Sequence, residues 1–293
     1  MSIPCLPGIP DNPMAFKRKK KKPKKPVEKE MSFLDHLEEL RMHIIRALIA
    51  LVTAAVLVYI LGDRFFDSII FAPKYPDFLS YRAMCGLSQA LGLGERLCMS
   101  PVDFELMTVG MGEAFLTHIK VALLGGLVVA FPFVFWEFWK FIKPGLHKKE
   151  VKTTRGIVFV CSLLFTFGVA FGYFIISPFA VNFLAGYEIS GVKNTVTISS
   201  MVNYMIMFTV PTGLAFELPL VVYYLSKLGL VTPEGMRSYR KHAFVTILVV
   251  AAVITPPDVI TQFLIGVPLY ILYELSIYIS AREARRFEAE FGD

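Results

Sequence analysis

Signs of catalysis are what this sequence most lacks. No GxxxxGK[ST] phosphate loop occurs, so nothing marks the chain as hydrolysing nucleotide. Its four cysteines, Cys5, Cys85, Cys98 and Cys161, form no CxxC and sit in no Cys/His cluster, which leaves no candidate metal site and no cofactor. His36, His43, His118, His147 and His242 are scattered, without the Asp or Cys spacing of a triad or metal centre, and read as interface residues. No apolar run precedes residue 40, so no removable secretory signal is expected. Charge is scarce as well: 18% of residues are charged, against 55% hydrophobic and 26 Phe. A soluble domain carries roughly a quarter charged residues and patterns its apolar ones.

What is present is apolar length. Several runs approach the ~20 residues that a bilayer span needs, and mean hydropathy is +0.58. Only helices or closed barrels satisfy the backbone in lipid. The period-two alternation of barrel strands is missing. The expected class is therefore an all-α integral membrane protein. Net charge is +6 with pI ≈ 9.0, but the positive charge lies in loops and tails beside the apolar runs. That placement points to topology and anionic lipid, not to nucleic acid.

Residues 1–31 are Pro-rich and then basic, with Lys17 to Lys25 almost wholly cationic, and read as a disordered cytoplasmic tail. A membrane domain over 32–280 follows, then a tail over 281–293. Phe33, Leu34, Leu37 and Leu40 have helical spacing and lead into a first span at about 44–61. Further spans are expected at about 114–138, 156–177, 203–226, 243–254 and 260–279. The third ends at Pro178; Trp136 and Trp139 suit a membrane interface. The fifth would reach only about 18 Å at the α-helical rise, so the bilayer should thin there or partners should shield the helix. A long first outer loop, 62–112, holds Cys85 and Cys98. They become a disulfide candidate if that loop faces an oxidising compartment; spacing alone leaves this open.

Basic residues cluster in the N-tail, in 140–155, in 227–241 and in 282–286. Six spans put all four clusters on one side, and the positive-inside rule then sets both termini in the cytoplasm. The loop from Phe141 to Glu150 turns at Pro144 and Gly145 and holds one carboxylate, Glu150, among lysines.

Glu217 lies well inside the fourth span, between Pro211 and Pro219. A carboxylate there costs a few kcal/mol or more on insertion scales, so it should face a cavity or partner. It reads as a polar docking or relay site, or as a protonated Glu bonded inside the helix bundle. Glu39 and Glu150 form a second pair at the cytoplasmic interface. Each could instead pair locally, Glu39 with His43 and Glu150 with Lys148 or Lys149, for ~0–1 kcal/mol. Glu274 is near enough to the end of its span to snorkel. Asp258 reads as a turn residue or cap after Pro257, with Gln262 in the same cap region.

Taken in order, these residues resemble the TatC family, the receptor and core subunit of the twin-arginine protein translocase. The carriers are His36, Leu37, Glu38, Glu39, Leu40 and Arg41, then Glu113 and Lys120, then Trp139 to Leu146 with Glu150. Phe167 to Pro178, Phe216 to Pro219, Thr255 to Asp258 with Gln262, and Leu272 to Glu274 complete the match over about 31–280. The resemblance implies a multi-pass protein of the bacterial cytoplasmic (inner) membrane that binds twin-arginine signal peptides. With single-span TatA- or TatB-type partners it would export folded proteins on the proton motive force, within a larger self-associated complex. It implies that Glu39 and Glu150 contact the arginine pair, supported by His36, Leu40, Arg41, Phe141 and Pro144, and that Glu217 contacts the partner helices. Pro178, Pro219, Pro257, Asp258 and Gln262 then fall to structural and turn roles. A solute transporter with Glu217 on its path is the rival from another class; its inverted repeats are not evident between 31–155 and 156–280. A membrane enzyme finds no nucleophile–base pair.

Overall fold

The computed structural model describes residues 33–92, 94, 98, 104–142, 154–187, 195–254 and 259–291. Contacts divide the chain into Met1–Glu38, of which only the opening turns of the first helix are described, and Glu39–Asp293.

The described residues are almost wholly helical, as apolar chain in lipid must be. In chain order they form α1 (Phe33–Ile60), the single turn α2 (Gly62–Phe65), α3 (Leu79–Ala90), α4 (Glu113–Ile142), α5 (Thr154–Phe171) and α6 (Ser177–Gly186). Then follow α7 (Ile198–Ala215), α8 (Leu218–Lys227), α9 (Pro233–Ser238), α10 (Arg240–Ile254) and α11 (Val259–Phe291). Among the described residues, five stretches are long and apolar enough to cross a membrane: Leu37–Ile60, Glu113–Ile142, Gly156–Gly186, Ile198–Lys227 and Thr261–Arg285. The 15 residues of α10 reach about 22 Å, against ~30 Å of hydrocarbon. This is the segment expected to be a short fifth span.

Several expected boundaries move, each for a backbone reason. The third span does not stop at Pro178. A π turn, Gly172–Ile176, joins α5 to α6, and Pro178 sits in the first turn of α6, where its missing N–H costs nothing. Helix therefore runs on to Gly186, well into the expected outer loop. The fourth span is broken in the middle. Pro219 cannot donate to the preceding turn, so α7 ends at Ala215 and α8 starts at Leu218. α11 continues to Phe291, through most of the expected C-terminal tail.

Small residues set the helix seams. A Cβ on Gly172 would stand 2.3 Å from the Phe208 carbonyl oxygen, so α7 runs directly against the π turn. A Cβ on Gly126 would stand 2.6 Å from the Ala55 Cα, which fixes the α1–α4 crossing. The main core cluster joins Ile176, Ala180, Phe208, Ile247, Ala251, Ile265 and Leu269. It locks α6, α7, α10 and α11 together.

The described part of the loop 62–112 holds defined contacts. Cys85 and Cys98 are bonded, with Cα atoms 4.3 Å apart. The Tyr81 hydroxyl donates to the Pro73 carbonyl at 2.9 Å, and burial pushes its pKa up to about 12, so it stays a donor at any working pH. Leu106–Met107 and Val196–Thr197 pair as two short parallel strands, β1 and β2. Beneath them the Glu113 carboxylate accepts from the backbone of Val109 at 2.7 Å, Gly110 at 3.1 Å and Ser199 at 3.2 Å. That one side chain ties the start of α4 to the start of α7.

Candidate functional site

The acids flagged by sequence fall in two places. Glu39 lies on α1, half-buried, and its Oε2 is fully buried with no hydrogen-bond partner among the described residues. Leu40 is half-buried beside it and Arg41 is exposed. His36 lies on the same helix, and Phe141 at the C-terminal end of α4. Pro144 and Glu150 lie outside the described residues, as do Pro257 and Asp258.

Glu217 sits at the break between α7 and α8, as the N-cap residue of α8, with no side-chain capping bond. Both carboxylate oxygens are buried and unpartnered among the described residues. The Cys161 thiol and the Phe165 backbone on α5 lie nearby, but neither meets hydrogen-bond geometry. Cys161 is itself fully buried. A carboxylate inside a span is costly unless it faces a cavity or a partner. Pro178 and Pro219 are buried at the first turns of α6 and α8.

One pairing offered by the sequence is replaced. Glu39 does not pair with His43. The His43 Nδ1 instead donates to the Glu137 carboxylate of α4 at 2.7 Å. The turn before α11, where the sequence sets Gln262 with Asp258, lies outside the described residues. The Gln262 Nε2 donates to the Leu248 carbonyl of α10 at 3.1 Å, across the helix pair. Glu274 accepts from Arg240 at 2.7 Å and from the Tyr270 hydroxyl at 3.2 Å, tying α10 to α11 again.

Glu137 was missed by sequence reasoning. It is 2% exposed and also accepts from Lys140 at 2.7 Å. A carboxylate in the run from Phe131 to Trp139 is itself the signal that could have found it. Its neighbours hid it, because Trp136 and Lys140 look like interface residues. Trp136 is exposed, with the Lys140 ammonium 4.1 Å over its ring. Trp139 is 4% exposed and packs 4.7 Å from the Tyr224 ring.

Between α4, α5 and α7 lies an apolar recess of about 730 Å³, lined by Ile70, Val121, Val128, Ala170, Met205 and Val210 among others. Segment 65–79 closes one end of it and contributes the two charged residues of its wall, Asp67 and Asp77. Among the described residues no group of His, Cys, Asp and Glu could hold a metal ion.

Comparison with known proteins agrees with this architecture. The family model described as "Sec-independent protein translocase protein (TatC)" matches residues 35–268. A TatC from Blattabacterium of Periplaneta americana is 34% identical over 255 residues, covering 86% of this chain and 96% of that protein. The Aquifex aeolicus TatC is 31% identical over 258 residues, covering 87% and 97%. A crystal structure of the twin-arginine translocase receptor TatC superposes with a TM-score of 0.66 at 30% identity, covering 85% of this chain and 99% of that one. On its sequence, its helices and their order, this chain belongs to the TatC family of Sec-independent protein translocase proteins.

Proposed function

We propose that this chain grips the paired arginines of a signal peptide with Glu39 and Glu150 and receives single-span partner subunits at Glu217. Family membership makes it a receptor subunit of the Sec-independent translocase for twin-arginine signal peptides, and not an enzyme. The residue assignments go further. The observation that carries the arginine site is the Glu39 Oε2, buried on α1 and without a donor among the described residues. A guanidinium supplies that donor. It is planar, always charged and matches a carboxylate with two prongs, whereas a lysine ammonium is a point charge. Each charge-assisted bond contributes about 1.5–3 kcal/mol, enough for two acids to favour Arg-Arg over Lys-Lys while still permitting release. Lys148, Lys149 and Lys152 repel basic peptides that fit less well. The apolar recess suits the apolar core of a signal peptide.

The same reading takes α10 as a short fifth span of six, with both termini in the cytoplasm of a bacterium and the disulfide on the oxidising side. Export then runs on the proton motive force, in a self-associated complex at an anionic inner leaflet. The test is a pull-down of the full chain with Arg-Arg and Lys-Lys signal peptides in parallel. Arg-Arg should be retained, and Glu39→Ala or Glu150→Ala should abolish retention without loss of membrane insertion. Equal retention of both peptides by the unaltered chain would refute the assignment.

A further inference from the structure

Glu137 has no part in the reading above, and it is expensively placed. Its buried carboxylate sits inside an apolar helix and must be offset by partners. Lys140, one turn along α4, supplies one bond locally. The other bond crosses to α1: the His43 Nδ1 donates to Oε2 at 2.7 Å, with the Arg46 guanidinium 4.0 Å away.

That crossing matters because α1 is loosely held. Near its outer end the His118 Nε2 donates to the Tyr59 carbonyl at 3.2 Å, and the two rings stack at 4.2 Å. In the middle, Gly126 admits Ala55. From there to His43 is about 18 Å of helix. Over that inner stretch Met42, Ile44, Ile45, Leu48 and Ile49 are exposed. Among the described residues, every hydrogen bond and ion pair from Glu39–Ala54 to another element ends on Glu137. This contact therefore sets the rotation of inner α1 about its own axis. Glu39 stands one turn before His43, on the same face and about 6 Å away along the helix.

The geometry points to Glu137 as a positioning residue for arginine recognition: by holding His43 it fixes the rotation of α1 at which Glu39 offers its unbonded oxygen to a guanidinium. The inference rests on the role proposed for Glu39. It also predicts a particular failure. A two-pronged bond to a planar guanidinium demands angular alignment, while an ammonium tolerates misalignment. Freeing α1 should therefore erode the preference for arginine over lysine, not merely the amount of folded protein.

The experiment uses the full chain in lipid nanodiscs, fluorescent Arg-Arg and Lys-Lys signal peptides, and spin labels at Met42 and Phe138 to read the α1–α4 distance. Glu137→Gln and His43→Gln should each weaken Arg-Arg binding about tenfold, the loss of one charged hydrogen bond's effect. Each should narrow the Arg/Lys ratio and broaden the label distance. His43→Arg, which keeps a donor cation for Glu137, should restore all three. Unchanged Arg-Arg binding and an unchanged ratio in both Gln variants would overturn the inference. So would weakened binding with a fixed label distance that His43→Arg does not rescue. Glu39→Ala separates the two levels. If it abolishes Arg-Arg binding while the Gln variants do not, only the role of Glu137 fails; if it leaves binding intact, the arginine site itself is misplaced.

Discussion

Glu217 and Glu137 show two ways of keeping an acid inside a span. Glu137 is surrounded by donors; Glu217, at the helix break, has none among the described residues. Their substitutions should therefore behave oppositely. Glu217→Gln removes charge from a group that forms no bond, so thermal stability in detergent should hold or rise by about 1 kcal/mol. Co-purification of single-span partners should nevertheless fall. Partners recovered at normal yield, or a clear loss of stability, would count against a docking role. Glu217 and Glu39 were both visible in the sequence, since a carboxylate within or beside an apolar run is conspicuous whatever the fold. The bond from His43 to Glu137 was not. Its ends are 94 residues apart, and nothing in local spacing encodes which helices meet.

At the scale of helices, sequence located the apolar runs well but not their joints. Hydropathy averages over a window, whereas a joint is decided by single backbone donors. A break precedes Pro219 in a span that hydropathy drew as continuous, while at Pro178 the helix runs on from the π turn into α6. The π turn before it depends on how closely α7 approaches, which is a tertiary fact. That approach is testable through Gly172. Alanine in a helix is normally favoured over glycine by about 1 kcal/mol. Here the new Cβ would meet the Phe208 backbone oxygen, and backbone cannot swing aside. Gly172→Ala should lower stability by about 1–3 kcal/mol, as overpacking does. Gly156→Ala, with nothing within 4 Å, should be neutral or stabilising in the same thermal assay. Equal melting of the two variants would mean that the seam is looser than described.

For the whole molecule, the decisive question is which ends share a compartment. The positive-inside argument uses four basic clusters and requires α10 to cross despite its 15 residues. With Cys5 replaced by serine, single cysteines placed at Ser238 and at Thr255, on either side of α10, can be probed with a membrane-impermeant thiol reagent, because Cys161 is buried and Cys85 and Cys98 are bonded. The label at 238 should react only after the inner face is opened, and that at 255 in intact cells. The same side for both would remove α10 as a crossing and place the C-terminus outside.

The uneven burial of the spans has a mechanical consequence. Only 11% of the most apolar 18-residue stretch within Leu37–Ile60 is buried inside the protein, against 39% for that within Ile198–Lys227. Drawn by its N-terminus with an atomic-force tip, the chain should surrender α1 first, in a separate low-force step, while the core around Phe208 yields later and together. Any load applied through the N-terminus would fall on the least braced stave first.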